Sequence, residues 1–596
     1  MSLNYRPDID GLRTLAVVPV VLFHAGIPGF SGGYVGVDVF FVISGYLITS
    51  ILLREMSSGQ YSLARFYERR IRRIFPALIA MLTFVIVFAP LSLLPSELRT
   101  LPREILGTIL FLANIVFWRE ADYFATAAEE KPLLHMWSLG VEEQFYIFAP
   151  LALWLVFRYA RRAIHIVIGI TLITSLALSI IFTPSSPSMA FYLLPTRAWE
   201  LLVGALIAAG LPKARDQRVA EALAAFGLVL LLYAIFAFDP GMEFPGYVAI
   251  VPVLGSALII QFAKGTVIGK FLSLRAFVGI GLISYSLYLW HWPLTVFFRD
   301  WGALSELSGK FTVVALSVIA AWLSWRFVER PFRNPEKWPS RRLTIAAAMA
   351  ASTLCVAAAV IHLTNGWPSR FSAEAVAFDD ARGDVSPDRA ACHISGGLRS
   401  PERWCRLGGE PNVALWGDSH GVEMARALSD GGTPILQITY SACPPARGYA
   451  PLNRPDCGAH NQIVLKALRD DKSIDQVVLV ANYRLYSDDA LRGITESAEA
   501  LRSAGKTVLV LEQAPSPGHN VPSMLAAGVR EPFPSSETPI IISGMSGMLR
   551  YTESLCPGGL CPLQIAGMPI LFDDGHLSMT AARAVAPVIA KGLSGQ

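Results

Sequence analysis

An arginine and a histidine lie eleven positions apart in an apolar run near the start of the chain. Arg13 and His24 belong to DGLRTLAVVPVVLFHAG, and at about 100° per residue eleven positions return almost to the starting angle of a helix. The two side chains therefore share one helix face, about 16 Å apart along the axis. Ionisable residues inside a membrane helix are costly and indicate function. The alternative is a side chain that snorkels at a helix end.

Other polar residues recur at helical spacing in later apolar runs. Glu142 in HMWSLGVEEQFY has Tyr146 at i+4, and Arg197 in LPTRAWELLVG has Glu200 at i+3. In ISYSLYLWHWP, one polar stripe at i, i+4 and i+7 consists of Ser284, Tyr288 and His291. Each could be a hydrogen-bonding contact between helices. Together with His24, they predict a polar pocket in the outer half of a membrane bundle.

A cluster of arginines opens the third apolar run, in FYERRIRRIFPAL. Spacings of three and four place their guanidinium groups on one helix face, an arrangement that fits phosphate groups. The cluster consists of Arg69, Arg70, Arg72 and Arg73. A topology signal or contact with lipid headgroups explains the same spacing equally well.

Six passages in the first 335 residues resemble, in order, the acyltransferase-3 family of membrane O-acyltransferases. They are RPDIDGLR with its later histidine, GGYVGVDVFFVISGYLIT, FYERRIRRIFPAL, PLLHMWSLGVEEQFY, FYLLPTRAWELLVG, and SYSLYLWHWPL followed by VERPFR. The resemblance implies a helical membrane domain that transfers an acyl group to a hydroxyl. His24 would be the general base or a transient acyl carrier, and Glu142 would orient it or balance its charge.

The same resemblance assigns the two ends of the reaction. It favours acetyl-coenzyme A as the acyl donor, bound at the cytoplasmic side by Arg13, Arg69, Arg70 and Arg73. Arg197, Ser284, Tyr288 and His291 would belong to the outer acceptor pocket, and Asp10 is a further candidate substrate or pocket residue. No metal is expected, because no CxxC with partner histidines occurs in the chain.

Two motifs in the C-terminal half resemble the SGNH hydrolase family. WGDSHG would supply Ser419 as the nucleophile, and FDDGHLS would supply His576 as the base, oriented by Asp573. The family's oxyanion glycine and its Gly-x-Asn-Asp segment have no clear counterpart. Asn482, at the end of the strand-like VVLVAN, is the candidate donor. Without a donor the rate would fall by about 10²–10³, and a domain that only binds glycan is the alternative.

Composition divides the chain of 596 residues, which has a mean hydropathy of +0.46, into two unlike halves. Up to about residue 362 it is a succession of apolar runs. Beyond about residue 411, buried strands alternate with helices, which predicts an α/β domain with a parallel sheet. The expected domains are 1–335 (acyltransferase), 336–362 (a further membrane helix), 363–410 (linker and extension) and 411–596 (SGNH-like). The net charge of +4, without a long basic tract, argues against nucleic acid as a partner.

Charge in the connecting links predicts the membrane topology. Of twelve apolar runs, the short one near 104–117 is expected to dip in without crossing, which leaves eleven spans. Basic links such as RYARRA and RNPEKWPSRR then lie in the cytoplasm, and acidic links such as ADYFATAAEEKP lie outside. The first helix is expected to be retained rather than cleaved. The C-terminal domain is expected in the periplasm.

Cysteine placement agrees with an exported C-terminal half. Cys355 lies in an apolar run, and the other six cysteines all follow residue 390. Six cysteines permit 15 connectivities, of which pairing between neighbours closes the shortest loops. That pairing is Cys392–Cys405, Cys443–Cys457 and Cys556–Cys561. Six reduced thiols are the alternative.

Together these observations predict a bacterial inner-membrane O-acyltransferase with a fused periplasmic SGNH domain. It would move an acyl group from a cytoplasmic donor to hydroxyls of an exported glycan, and acetyl is the acyl group that is favoured. Lipopolysaccharide O-antigen, peptidoglycan and exopolysaccharide all remain possible acceptors. The alternatives are a transporter or flippase with a glycan-binding domain, and an exported carbohydrate esterase.

Overall fold

A computed structural model describes residues 5–120, 130–212, 214, 216–300, 302–451, 454 and 456–595. The chain forms two compact units, one of Met1–Leu93 with Glu97–Trp367 and one of Leu94–Ser96 with Pro368–Gln596. Most of the acidic link predicted to lie outside the membrane, residues 121–129 of ADYFATAAEEKP, falls outside the described residues.

Over its described residues, the regular secondary structure of the first unit is all helical. Its longer helices are α1 (Pro7–His24), α2 (Gly36–Ser57), α3 (Leu63–Ser92), α4 (Leu101–Ile109), α5 (Ala113–Arg119), α6 (Met136–Tyr159), α7 (Ile164–Ser185), α8 (Leu194–Gly210), α9 (Gln217–Ala237), α10 (Ile250–Phe262), α11 (Arg275–Asp300), α12 (Leu307–Leu323) and α13 (Ser340–Leu363). Within the described residues, eight helical segments are long and apolar enough to cross a membrane. The first unit is therefore a polytopic bundle, as predicted, while the count of eleven spans stays a prediction.

The short apolar run near residue 104 does not form one long helix. It is divided into α4, of nine residues, and α5, of seven. Phe111 lies between them with a φ of 57°, in the left-handed region that ends a helix. At 1.5 Å per residue each piece is about 10–14 Å long, less than half of a bilayer's hydrocarbon. This agrees with a segment that does not cross.

Glycines bring the helices that carry polar residues into backbone contact. A Cβ atom built on Gly45 of α2 would lie 1.8 Å from the carbonyl oxygen of Leu201 in α8, and one on Gly204 would lie 2.0 Å from that of Val42. Gly281 of α11 approaches the Asp10 carbonyl oxygen of α1 in the same way, at 1.9 Å. Any side chain at these positions would push the helices apart, so α2–α8 and α1–α11 are close pairs.

The second unit is an α/β domain built on one six-stranded sheet. Its strands are β1 (Cys405–Leu407), β2 (Val413–Gly417), β3 (Ile435–Thr439), β4 (Gln476–Val480), β5 (Thr507–Leu511) and β6 (Met548–Leu549). They lie in the order β1-β3-β2-β4-β5-β6, and all neighbours are parallel except β1 and β3. The predicted strands of NVALWG, VVLVAN and TVLVLEQ are confirmed as β2, β4 and β5.

Helices cover this sheet and extend into the segment before it. The longer ones are α14 (Ala373–Asp380), α15 (Val422–Asp430), α16 (Asp456–Asp470), α17 (Asp488–Ser503) and α19 (Met579–Ser594), with the shorter α18 (Val521–Ala526). Two separate apolar clusters line the sheet, which confirms a sheet covered on both faces. The predicted linker and extension, 363–410, therefore contributes a helix and a strand to the second unit.

Three disulfides join neighbouring cysteines in the second unit. They are Cys392–Cys405, Cys443–Cys457 and Cys556–Cys561. Within the described part of the chain Cys355 is the free cysteine. The pairing predicted from the short gaps is confirmed.

Candidate active sites

A serine, a histidine and an aspartate meet at the carboxyl end of β2, an interior strand of the second unit's sheet. Ser419 is separated from β2 by Asp418, and its Oγ lies 2.8 Å from His576 Nε2. His576 Nδ1 lies 2.7 Å from Asp573 Oδ2, and Asp573 Oδ1 accepts hydrogen bonds from the backbone N–H groups of Gly575 and His576. Ser419 is fully buried and His576 is 8 % exposed. The arrangement is that of a Ser-His-Asp triad.

Nearby charges determine the pKa of the triad histidine, and two stacked rings determine its orientation. Burial alone lowers the pKa of His576, but the Asp573 carboxylate outweighs it and leaves the pKa above its usual value. Burial likewise opposes ionisation of Asp573, yet His576 and the backbone donors lower its pKa to about 2. The rings of His420 and Phe572 stack on His576 with centroids 4.1 Å and 5.3 Å away. Two aromatic neighbours therefore hold the imidazole plane.

The turn that carries the nucleophile is organised by Asp418. Its carboxylate accepts hydrogen bonds from the backbone N–H of His420, the backbone N–H of Asn482 and the Tyr486 hydroxyl. Burial raises the pKa of Asp418, and these donors counter that effect. Asn482, predicted as an oxyanion donor, uses its backbone N–H to hold this turn, and its side-chain oxygen accepts from Gln513. Neither bond uses its side-chain NH₂ group, so the oxyanion role stays a prediction. Asp418, Tyr486 and Gln513, which support this turn, were not predicted from the sequence.

In the first unit, His24 lines a small cavity, named here the histidine cavity, of about 70 Å³. His24 Nδ1 lies 3.0 Å from His291 Nε2, and His291 Nδ1 lies 2.7 Å from the carbonyl oxygen of Tyr288. A carbonyl only accepts, so His291 carries its proton on Nδ1 and, when neutral, offers Nε2 as an acceptor. His24 then donates from Nδ1 and keeps its lone pair on Nε2. A general base or a nucleophile needs that lone pair.

Arg197 is buried in the wall of the same cavity. Its guanidinium lies 3.0 Å from Asp38 and 3.0 Å from Glu200, so the predicted i,i+3 pair is joined by a third residue. Four aromatic rings surround the charge at 5.5–5.7 Å. Asp38 and His135 also line the cavity but were not predicted from the sequence. Asp38 could have been predicted, because an aspartate in the apolar run VGVDVFF is a costly ionisable residue in a membrane helix, as His24 is.

Glu142 lies in a second small cavity, the glutamate cavity, of about 80 Å³. Its carboxylate accepts hydrogen bonds from the hydroxyls of Ser44 and Tyr146, so the predicted i,i+4 contact with Tyr146 is present. Within the described part of the chain, the hydrogen-bond partner of His24 is His291 and not Glu142. Among the described residues Glu142 therefore does not orient His24 through a direct hydrogen bond, and its role in balancing charge stays a prediction.

A third and much larger cavity, the arginine-rich cavity, measures about 670 Å³. Seven arginines line it, at positions 13, 65, 69, 70, 72, 73 and 333, against three acidic residues, Asp10, Glu68 and Glu329. Ion pairs neutralise several of them, including Arg13 with Asp10 and Arg72 with Glu68. Among the described residues, Arg70 and Arg73 have no carboxylate within ion-pair distance. The cavity therefore presents uncompensated positive charge, which suits phosphate groups.

Shared wall residues connect the three cavities in series. Arg13 and Ser284 line both the arginine-rich and the glutamate cavities, and Tyr288 lines both the glutamate and the histidine cavities. The predicted polar stripe of α11 is therefore distributed over all three cavities. Ser284 lies with Arg13 and not with His24, which corrects the expectation of a single polar pocket.

Comparison with known proteins matches both units to families. A model of the acyltransferase domain matches residues 6–328, more than half of the chain. A model of the SGNH domain that is fused to such acyltransferase domains matches residues 391–542. The second match includes the Ser419 turn and ends before Asp573 and His576.

Several curated proteins are similar over a little more than half of the chain. An O-acetyltransferase OatA of Staphylococcus aureus is 33% identical over 353 residues, covering 56% of this chain and 58% of the relative. The peptidoglycan O-acetyltransferase OatA of Listeria monocytogenes is 31% identical over 360 residues, covering 56% of each. The chain thus spans a little over half the length of these relatives. A solved periplasmic domain of a lipopolysaccharide acetyltransferase from Salmonella Paratyphi A matches at 15% identity and a TM-score of 0.28, over 34% of this chain and 91% of that one.

Proposed function

We propose that this chain, which belongs to the acyltransferase-3 family and carries a fused SGNH domain, is a membrane O-acetyltransferase acting on a cell-envelope glycan. Peptidoglycan is the acceptor we favour, because a relative that is 31% identical over 360 residues is named for it. The observation that carries the proposal is the pair His24–His291, which leaves a lone pair on His24. Its cavity adjoins the glutamate cavity, which in turn adjoins the arginine-rich cavity.

The arginine-rich cavity is proposed as the donor site, facing the cytoplasm. Arg13, Arg69, Arg70 and Arg73 would bind the phosphates of acetyl-coenzyme A, and the lack of ion-pair carboxylates at Arg70 and Arg73 supports this. Acetyl-coenzyme A supplies an acetyl thioester, whose carbon–sulfur bond breaks as the sulfur leaves as a thiol. The Ser44 and Tyr146 hydroxyls hold the Glu142 carboxylate in the glutamate cavity, which shares wall residues with both the arginine-rich and the histidine cavities.

The histidine cavity is proposed as the acyl-transfer centre in the membrane. His24 Nε2 either takes the proton of the attacking hydroxyl, which then passes to the leaving thiolate, or carries the acetyl group itself. His291 fixes the His24 tautomer, and the Tyr288 carbonyl fixes that of His291. Arg197 stabilises negative charge that develops on the acyl oxygen.

Ser419 is proposed as the second acyl acceptor, outside the cytoplasm. His576 removes the Ser419 proton as Oγ bonds to the acyl carbon, and Asp573 stabilises the imidazolium. The bond between the acyl carbon and the atom that carried it breaks, and the protonated His576 returns its proton to that departing atom. The acetyl ester on Ser419 is then transferred to a glycan hydroxyl, which regenerates the serine. The two centres would work in sequence, His24 before Ser419.

The test compares acetyl ester in purified glycan from cells that produce the wild-type chain, His24→Ala or Ser419→Ala. Both variants should abolish glycan acetylation, and an acetylated Ser419 should be detected by mass only when His24 is present. Normal acetylation with Ser419→Ala would reduce the SGNH domain to a binding module. Increased acetylation in that variant would identify an esterase. Normal acetylation in both variants would refute the proposal and favour a transporter.

A further inference from the structure

A short segment before the SGNH match contacts the Ser419 turn and the start of the helix that follows His576. This segment, residues 384–389 and named here the bracket, precedes residue 391, where the family match begins. Arg389 Nε lies 2.8 Å from Glu423 Oε1, and its Nη2 contacts Glu423 Oε2. The same Nη2 donates to the Ser419 carbonyl oxygen at 3.3 Å, and the backbone N–H of Ser386 also reaches Glu423. The bracket is thus tied to the turn of the nucleophile.

The other end of the bracket holds the histidine side of the triad. The Asp384 carbonyl oxygen accepts from the backbone N–H of Met579 at 2.8 Å, and its carboxylate accepts from that of Thr580 at 3.0 Å. These donors are the first two residues of α19, which begins three residues after His576. The bracket therefore connects the start of α15, beside Ser419, with the start of α19.

The Arg389 guanidinium also reaches the triad through a ring. It lies 5.0 Å from the centroid of Phe572, whose ring stacks on His576 at 5.3 Å and 15°. Arg389 and Glu423 form a buried ion pair, with side chains 8% and 2% exposed. Such pairs add little net stability, since desolvation offsets their attraction, but they define one geometry. Here that geometry includes the Ser419 carbonyl and the Phe572 ring that stacks on His576.

We propose that the bracket sets the position of Ser419 relative to His576, with Arg389 as the positioning residue. The inference rests on the proposed role of Ser419 and extends the reactive site into the segment that leads out of the membrane half. It implies that an SGNH domain cut at residue 391 or 411 lacks part of its own active site.

The test measures how fast a fluorophosphonate probe labels Ser419 in the detergent-solubilised full chain, together with thermal unfolding. Arg389→Met should slow labelling about 100-fold, the cost of misplacing reacting groups by about 1 Å. It should also lower the unfolding temperature, because Glu423 is left buried and unpaired. The double variant Arg389→Met with Glu423→Leu should recover stability but not the labelling rate. A purely structural role predicts recovery of both.

Two controls complete the design. Arg530→Met removes an ion pair with Glu374 that also joins the N-terminal extension to the domain, and it should leave labelling unchanged. Arg389→Lys keeps the buried charge but lacks the fork that reaches Glu423 and the Ser419 carbonyl together, and it should slow labelling about tenfold. Wild-type rates in Arg389→Lys or in the double variant would overturn the inference. Failure of wild-type Ser419 to react would overturn the proposed function instead.

Discussion

Replacing Asp573 by asparagine should disable the triad through the wrong histidine tautomer. Asp573 Oδ1 is already engaged by the backbone N–H groups of Gly575 and His576. The asparagine oxygen should keep those two donors, which turns its NH₂ group towards His576 Nδ1. That nitrogen must then accept, so the proton moves to Nε2 and points at Ser419 Oγ. A histidine in this form cannot take the serine proton.

The expected loss is about 10³–10⁴-fold in rate at the plateau, or about 4–5.5 kcal/mol of barrier. The pH dependence should change as well. The base is active when neutral, so the rate rises with pH through the pKa of His576, which lies above its usual value because of Asp573. Without that carboxylate, burial and Arg389 lower the pKa of His576. The acid limb of the rate–pH profile should therefore move to lower pH.

The assay is hydrolysis of p-nitrophenyl acetate by the solubilised full chain between about pH 5 and pH 9, with the Ser419→Ala rate subtracted. Asp574→Asn is the matched control, because it makes the same change of charge one residue away at an exposed position. It should retain the wild-type profile. An Asp573→Asn variant that keeps a tenth of the activity, or an unmoved acid limb, would refute the orienting role of Asp573.

The remaining predictions concern topology, donor binding and cysteine pairing. Reporter fusions near residues 266 and 336 should report cytoplasm and a fusion after residue 363 periplasm; a cytoplasmic signal from the last would exclude export of the second unit. Arg70→Gln and Arg73→Gln should each raise KM for acetyl-coenzyme A about tenfold with little change in kcat, as measured by thiol release, and an unchanged KM would remove the donor assignment. Non-reducing peptide mapping should recover the three neighbouring disulfides, and six thiols alkylated without reduction would contradict them.

Much of the architecture could be predicted from the sequence because it depends on local patterns. Apolar runs with helical periodicity mark the bundle, and short apolar runs between helices mark β2, β4 and β5. Neighbouring cysteines pair because short loops close easily. The contact of Glu142 with Tyr146 was also predictable, since an i,i+4 spacing places side chains together on one helix. The contact of Asp573 with His576 was predicted from the resemblance of FDDGHLS to the SGNH motif.

Only the tertiary structure decided which distant residues meet. Periodicity assigns His24 to a face of α1, but packing against α11 selects His291, 267 positions away, and not Glu142. A buried charge needs a partner of opposite charge. The close approach of α2 and α8 at their glycines determines that Asp38 is the ion-pair partner of Arg197. The number of residues between Arg389 and the sequence motifs does not indicate which residues Arg389 contacts. Its role depends on the path of the chain around the sheet, which sequence patterns do not encode, because contacts between elements follow from the shape of the assembled core.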